Sequence, residues 1–145
     1  MYNSEIFTNF AVYRTQIMKT ETFKIPEIPN DKVVLLNISK SYHADKDTHP
    51  MFIRENEYEM TRKYWTVNLD IVRQAEYALG VADGIVVAVF TDLKWDYIEC
   101  PYLTTMRKAF TGRPVPDSPY LGMDLSEYMT IRNPFRYVNI EVLKR

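Results

Sequence analysis

The Asp83-Gly84 pair places the strongest constraint on the fold, because it stands between two apolar runs. These runs cover residues 76–82 and 85–90. A two-residue Asp-Gly connection favours a type I′ turn and so predicts a tight β-hairpin. The turn also fixes a predicted register, which pairs Ala82 with Ile85, Gly80 with Val87, Ala78 with Val89 and Tyr77 with Phe90.

Both faces of this hairpin are apolar, which predicts that it is covered on both sides. In the predicted register one face carries Tyr77, Leu79, Val81, Val86, Ala88 and Phe90, and the other carries Ala78, Gly80, Ala82, Ile85, Val87 and Val89. The column of small residues at positions 78, 80 and 82 lets another element approach closely. We therefore expect a central hairpin, inside a barrel or under a helix.

The other segments predict a set of short elements around this hairpin. Strands are expected over residues 10–18, 32–38, 106–112 and 135–143, the last with Val138, Ile140 and Val142 inward. Helices are expected over residues 55–65, over 69–74 with Asn68 as N-cap, and from Asp124, where residues 124–127 have capping-box spacing. Residues 39–49 are polar and predict a loop.

Many short strands with few helices between them favour an α+β fold, a small mixed β-barrel, over a doubly wound sheet. At 145 residues the chain has the size of one domain. Prolines at positions 26 and 29 mark residues 1–30 as an arm that packs on a domain formed by residues 31–145.

Composition points to a soluble, cytoplasmic protein. No apolar run is long enough to cross a bilayer and no secretory signal is visible, so we expect no membrane contact. The lone Cys100 cannot form an intrachain disulfide. A net charge of −1 excludes a protein that coats DNA by bulk electrostatics, so a nucleic-acid site would have to be local.

Catalytic signatures are absent, and we expect neither a catalytic residue, a cofactor nor a metal. Cys100 with His43 or His49 could form a nucleophile pair, but a lone cysteine is more often a small hydrophobe. His43, Asp45, Asp47 and His49 could hold a metal, but their spacing fits no established pattern and favours a solvated loop.

Three clusters are rich in aromatic rings: residues 61–65 and 132–137, which also carry cations, and residues 95–97. Stacking rings and phosphate-pairing cations hold unstacked bases in nucleic-acid-binding proteins. The alternative is that the rings, such as Tyr64 and Trp65, belong to the core, while the cations form the wet face of a helix.

An ordered set of motifs gives the chain a family resemblance. They are Asn37-Ile-Ser-Lys-Ser-Tyr42, Thr61-Arg-x-x-Trp65, Ala75-x-Tyr-Ala-Leu-x-Val-x-x-Gly84-Ile-Val-x-x-Val-Phe90, Trp95, Phe110-x-Gly112 and Asn133-Pro-x-Arg-Tyr-Val-Asn139. This set, which spans residues 32–139, resembles microbial and phage proteins of the PUA-like superfamily, kin to EVE, ASCH and YTH domains.

The resemblance implies a small β-barrel whose pocket accepts an RNA segment or a flipped, often modified, base. It implies stacking by Trp65 and Trp95, base-edge contacts from Asn37, Ser41 and Asn133, and phosphate contacts from Arg62 and Arg136. The leading hypothesis is thus a nucleic-acid-binding module for DNA or RNA. The main alternative is a protein-interaction module, such as a small phage-encoded inhibitor of a host protein, and an enzyme acting on a nucleotide through Glu57 or Asp92 comes third.

Overall fold

The computed structural model describes residues 19–130 and 132–144. Its strands are β1 (Lys19–Thr22), β2 (Val33–Asn37), β3 (Tyr77–Ala82), β4 (Ile85–Ile98), β5 (Arg107–Pro114), β6 (Phe135–Val138) and β7 (Glu141–Lys144). Its helices are α1 (Ser39–Tyr42), α2 (Glu57–Arg62) and α3 (Leu69–Val72), with a 3₁₀ turn over Pro50–Phe52. The strand predicted over residues 10–18 lies outside the described residues.

Five of these strands form one mixed sheet in the order β5-β4-β3-β2-β6. Strands β2 and β3 run parallel, and the other neighbours are antiparallel. Strands β1 and β7 pair separately as a two-stranded sheet. The α+β class is therefore confirmed, while the described strands make an open sheet rather than a closed barrel. No described helix has the length and apolar character needed to cross a membrane.

The five-stranded sheet is packed on both faces, as the apolar hairpin predicts. The first core cluster includes Leu35, Leu79, Val81, Val89, Leu125 and, from the N-terminal segment, Ile25 and Ile28. The second includes Val34, Leu36, Ala78, Phe90, Trp95 and Phe110. Alternate residues of each central strand face opposite clusters, so every central strand is buried on both sides.

The hairpin forms at Asp83 and Gly84, whose positive φ values of 53° and 82° fit a type I′ turn. Its predicted register holds only near the turn, where Ala82 pairs with Ile85. A bulge next to Gly80 then shifts the pairing by one residue, to Gly80–Ala88, Leu79–Val89 and Ala78–Phe90. The predicted pairs beyond the turn are therefore wrong, and Ala88 and Phe90 face the second cluster instead of joining Leu79.

Helix α2 lies against the small residue Gly80. A Cβ atom at this position would come 2.6 Å from Oγ1 of the fully buried Thr61. The predicted close approach to the small-residue column is thus confirmed. The helix is shorter than predicted, because Asn56 caps its first turn and the backbone is extended at Lys63, so Tyr64 and Trp65 lie beyond its end.

Three further predictions need correction, and one holds. Residues 39–42 are helical rather than loop, since the Asn37 side chain accepts a hydrogen bond from the first helical N–H, that of Ser39. Asp124 starts no helix, because its carboxylate accepts from the N–H and hydroxyl of Ser126 in a turn. The last strand breaks at Asn139, whose φ of 60° separates β6 from β7 and leaves Val142 only half-buried. Helix α3 does begin at the predicted N-cap, Asn68.

Candidate nucleic-acid-binding cavity

A cavity of about 400 Å³ opens where α1, the 3₁₀ turn and the segment after α2 meet. Its wall combines aromatic, cationic, polar and apolar side chains. These are Phe52, Tyr64 and Trp65; Lys40, Arg54, Lys63 and Arg107; Asn37, Ser39, Ser41 and Thr66; and Ile38, Met51, Met60 and Pro134. Such a mixture is typical of small-molecule and base-binding sites, and the volume falls in their range of about 300–1,000 Å³.

The aromatic side of the cavity is held rigidly. Nε1 of Trp65 donates a 2.8 Å hydrogen bond to the carbonyl of Thr61, at the end of α2. The backbone of Trp65 also exchanges two 2.9 Å hydrogen bonds with Lys108 of β5. The indole is therefore fixed both through its ring and through its main chain, which suits a stacking platform.

Arg54 organises the same wall. Its Nε donates to the carbonyl of Met51 at 2.7 Å, and its Nη1 donates to the carbonyls of Glu59 and Lys63, each at 2.8 Å. The guanidinium also lies 4.9 Å from the ring centroid of Tyr64. Burial lowers the pKa of Arg54 from its ordinary value. We conclude that Arg54 positions the cavity wall, because its hydrogen bonds join three segments of it.

The polar side of the cavity is built around Asn37, at the end of β2. Its Oδ1 accepts hydrogen bonds from the backbone N–H of Ser39 at 3.1 Å and from the Ser39 hydroxyl at 2.7 Å. The same hydroxyl accepts from the N–H of Asp83 in the hairpin turn at 3.0 Å. Because Oδ1 is occupied, the amide group can offer a ligand only its Nδ2 donor, which otherwise makes a long 3.4 Å bond to the carbonyl of Asn133.

The cavity carries positive charge although the whole chain is nearly neutral. Among the described residues no carboxylate lines it. Lys63 is paired with Glu59 at 2.9 Å. Burial alone would raise the pKa of Glu59, but the hydrogen bonds and charges of Lys63 and Arg62 outweigh burial and lower this pKa. Lys40 and Arg107 have no carboxylate partner among the described residues. Besides Arg54, whose guanidinium is bonded to backbone carbonyls, an anionic ligand would therefore meet two cations without a carboxylate partner in the described part of the chain.

Three of the seven predicted site residues line this cavity, and a fourth, Asn133, touches it only through its backbone, because its side-chain Oδ1 accepts from the Thr130 hydroxyl. Asn37, Ser41 and Trp65 line it, and Asn133 contacts Asn37 through its carbonyl. Ser41 is 6% exposed and Trp65 is partly buried, so both lie in the wall rather than on an outer surface.

The other three predicted residues lie elsewhere. Trp95 is 4% exposed and packs on Phe110 in the second core cluster, at 5.0 Å between ring centroids. Arg62 donates from Nε to the carbonyl of Phe110 at 3.0 Å and pairs with Glu59. Arg136 donates to the carbonyl of Tyr128 at 2.8 Å and lies over the Phe23 ring. The two guanidinium groups therefore already have partners in the fold, and the Trp95 ring is packed in the core.

Comparisons with protein-family models, curated proteins and solved structures gave no match. Function must therefore be inferred from the chemistry of the cavity itself.

The cavity residues that sequence reasoning missed include Lys40, Phe52, Arg54 and Arg107. Lys40 stands inside the first family-like motif, and its Nζ lies 4.9 Å from the ring centroid of Phe52. That motif could have drawn attention to Lys40. Nothing in the pattern of residues 51–54 or around Arg107 marks the others as cavity residues.

Proposed function

We propose that this chain is a nucleic-acid-binding module that takes one base of DNA or RNA, unmodified or modified, into the cavity. The observation that carries the proposal is the joint presence, around one cavity, of fixed aromatic rings, an oriented amide donor and cations that have no carboxylate partner in the described part of the chain. We also propose that the fold is a PUA-like pseudobarrel and that the protein acts in the cytoplasm.

Each part of the cavity matches one need of a flipped base. A base taken out of its stack is held by contact with aromatic faces and by hydrogen bonds to its edge. Trp65 and Phe52 supply rings, and the Nδ2 group of Asn37 supplies a donor that suits a carbonyl or ring nitrogen of the base. Lys40 and Arg107 supply charge for the adjoining phosphates.

The surroundings of the carboxylates favour binding over catalysis. Glu57 and Asp92, the acids considered for acid–base chemistry, do not line the cavity. Asp92 is exposed and paired with Arg113. A general acid or base has to lie within hydrogen-bond reach of its substrate, and neither of these two carboxylates reaches a base bound in the cavity.

A protein-interaction module is the second candidate, and exposed apolar side chains near the β4–β5 connection favour it. Tyr102, Leu103 and Met106 are 48%, 36% and 48% exposed. Such groups are enriched at protein interfaces. A stoichiometric protein partner that stays bound after nuclease treatment and in high salt, and that is lost on Met106→Asp, would support this candidate.

Fluorescence titration of the Trp95→Phe variant tests the leading proposal. This variant keeps Trp65, at the cavity, as its single indole, because the chain has two tryptophans. We expect saturable quenching by short DNA or RNA that weakens with salt. Asn37→Ala and Lys40→Ala should weaken binding, whereas Arg113→Ala should not, since Arg113 is already paired with Asp92.

Two outcomes would contradict the proposal. One is the absence of quenching by single- and double-stranded DNA and RNA, with and without modified bases. The other is binding that Asn37→Ala and Lys40→Ala leave unchanged in folded variants, which would place the ligand outside the cavity.

A further inference from the structure

A row of three side chains leads from the cavity across the neighbouring strands. Trp65 pairs with Lys108 of β5 in an antiparallel bridge, and Lys108 pairs with Tyr97 of β4. Side chains of directly opposed residues in antiparallel pairs lie on the same face. Trp65, Lys108 and Tyr97 therefore form an aromatic–cation–aromatic row on one face, and its first member lines the cavity.

The spacing of this row leaves one strand between the two rings. Trp65 and Lys108 exchange hydrogen bonds, so they form a hydrogen-bonded antiparallel pair with Cα atoms roughly 5.5 Å apart. Lys108 and Tyr97 then form a non-hydrogen-bonded pair, with Cα atoms roughly 4.5 Å apart. Nζ of Lys108 lies 5.6 Å from the centroid of the Tyr97 ring. The ammonium group of Lys108 thus lies beside the Tyr97 ring, on the strand between Tyr97 and Trp65.

Tyr97 is open to solvent. Its relative exposure is 59%, the largest of the exposed aromatic side chains in the described residues. Its neighbour Asp96 alternates to the other face of the strand, and Oδ1 of Asp96 accepts a 2.7 Å hydrogen bond from the backbone N–H of Tyr97. Tyr97 therefore offers a large, exposed ring beside the ammonium group of Lys108.

We propose that this row binds the nucleotide next to the one held in the cavity, with its base stacked on Tyr97 and the intervening phosphate on Lys108. The inference rests on the proposed function and narrows its ligand to a single strand. Stacked rings alternating with cations hold unpaired bases, whereas the bases of a duplex keep their faces covered by one another.

Binding of labelled single-stranded pentanucleotides of mixed sequence tests the row, with mononucleotide affinity measured by competition. Tyr97→Ala should weaken pentanucleotide binding about fivefold or more, the lower end of one base–aromatic stack. It should leave mononucleotide affinity unchanged, because the cavity is intact. Tyr97→Phe keeps the ring and should bind within about twofold of the wild type.

Lys108→Gln tests the cation of the row. It should weaken pentanucleotide binding and reduce the slope of log affinity against log salt by about 0.7, the value for one phosphate of a single strand. Arg113→Ala is the matched control, since it removes an exposed cation of the same strand that is already paired with Asp92.

The possible failures separate the two proposals. If the wild type binds pentanucleotides and Tyr97→Ala binds them equally well, or if a duplex binds as tightly as the single strand, the row is wrong and the cavity proposal stands. If the wild type binds neither pentanucleotide nor mononucleotide, both proposals fail, and the protein-interaction candidate takes their place.

Discussion

Among the described residues, Asp83, Asp92 and Asn139 are the non-glycine residues that take positive φ. Asn and Asp tolerate this conformation better than other residues. Asn139 also uses its side chain, since Nδ2 donates to the carbonyls of Ile28 at 2.7 Å and Asp31 at 2.8 Å. Its backbone N–H donates to the carbonyl of Phe23. One residue thus joins the break between β6 and β7 to the N-terminal segment.

Asn139→Asp should lower the free energy of unfolding by about 2 kcal/mol or more, because two partly buried carbonyls lose their donor and face a carboxylate instead. Denaturant unfolding measures the change. Asp92→Asn is the matched control at a similar φ, and it should change stability by no more than about 1 kcal/mol, since it breaks only an exposed ion pair. Equal losses in both variants would contradict the role of the two hydrogen bonds.

At the scale of elements, the β3–β4 hairpin docks on residues 124–126. The N–H of Leu125 donates to the carbonyl of Gly84 at 2.6 Å, and Ile85 bridges Asp124. A Cβ atom on Gly84 would lie 2.5 Å from Cβ of Ser126, whereas one on Gly122 would meet nothing within 4 Å. The two glycines have φ values of 82° and 83°, so they differ in surroundings and not in conformation.

Gly84→Ala should therefore destabilise the protein more than Gly122→Ala. Both variants place alanine at positive φ, which costs roughly 1–2 kcal/mol. Only Gly84→Ala also pushes the hairpin from residues 124–126, which adds roughly 1–3 kcal/mol of overpacking. If the two variants unfold with the same m-value, the difference between their denaturation midpoints measures how much this contact contributes to stability. If the two alanines had the same effect, the hairpin would not dock as described.

The sequence predicts best the elements whose ends are marked by residue types that favour a turn or a helix cap. Asp83-Gly84 marks the hairpin turn, and Asn68 marks the start of α3. The bulge beside Gly80 carries no such signal, because residues 85–90 are apolar throughout and either register buries them. The break at Asn139 is equally hidden, since Val138 and Ile140 are both buried, but in opposite core clusters.

The cavity could be predicted only in part. Asn37, Ser41 and Trp65 stand in motifs whose order suggested a common site. Arg54 joins it through carbonyls of residues 51, 59 and 63, contacts that depend on how α2 ends. Trp95 shows the opposite case. Tryptophan is a residue type that suits a binding site, but the register of β4 directs the Trp95 side chain into the core beside Phe110. Residue type alone does not decide which side of a strand faces the ligand.

Across the whole molecule, each core cluster is bordered by a tyrosine whose hydroxyl is used inside the fold. Tyr120, beside the first cluster, donates to Asp31, and Tyr137, beside the second, accepts from the N–H of Asn68 at 3.1 Å. Burial, followed by the hydrogen bond and charge of Asp31, raises the pKa of Tyr120, and burial raises the pKa of Tyr137. Both phenols therefore favour the neutral form in the folded state.

This difference predicts alkaline destabilisation. A tyrosine has an ordinary pKa of about 10, which we take for the unfolded chain. Because the folded pKa of Tyr120 is higher, its stabilising contribution is complete below about pH 10 and is lost as the pH rises toward the folded pKa. We expect the free energy of unfolding, measured in urea between pH 8 and 11, to fall above about pH 10.

Comparison with the Tyr120→Phe variant separates the titration of Tyr120 from that of the lysines, because the variant and the wild type have the same lysines. At pH 8 the variant should be less stable than the wild type, because it lacks the hydrogen bond to Asp31. Above about pH 10 the gap should narrow, since only the wild type gains an ionised Tyr120 in its unfolded state. A gap that stays constant from pH 8 to 11 would mean that Tyr120 ionises equally in both states, and the burial of its hydroxyl beside Asp31 would then have no bearing on the stability of the first core.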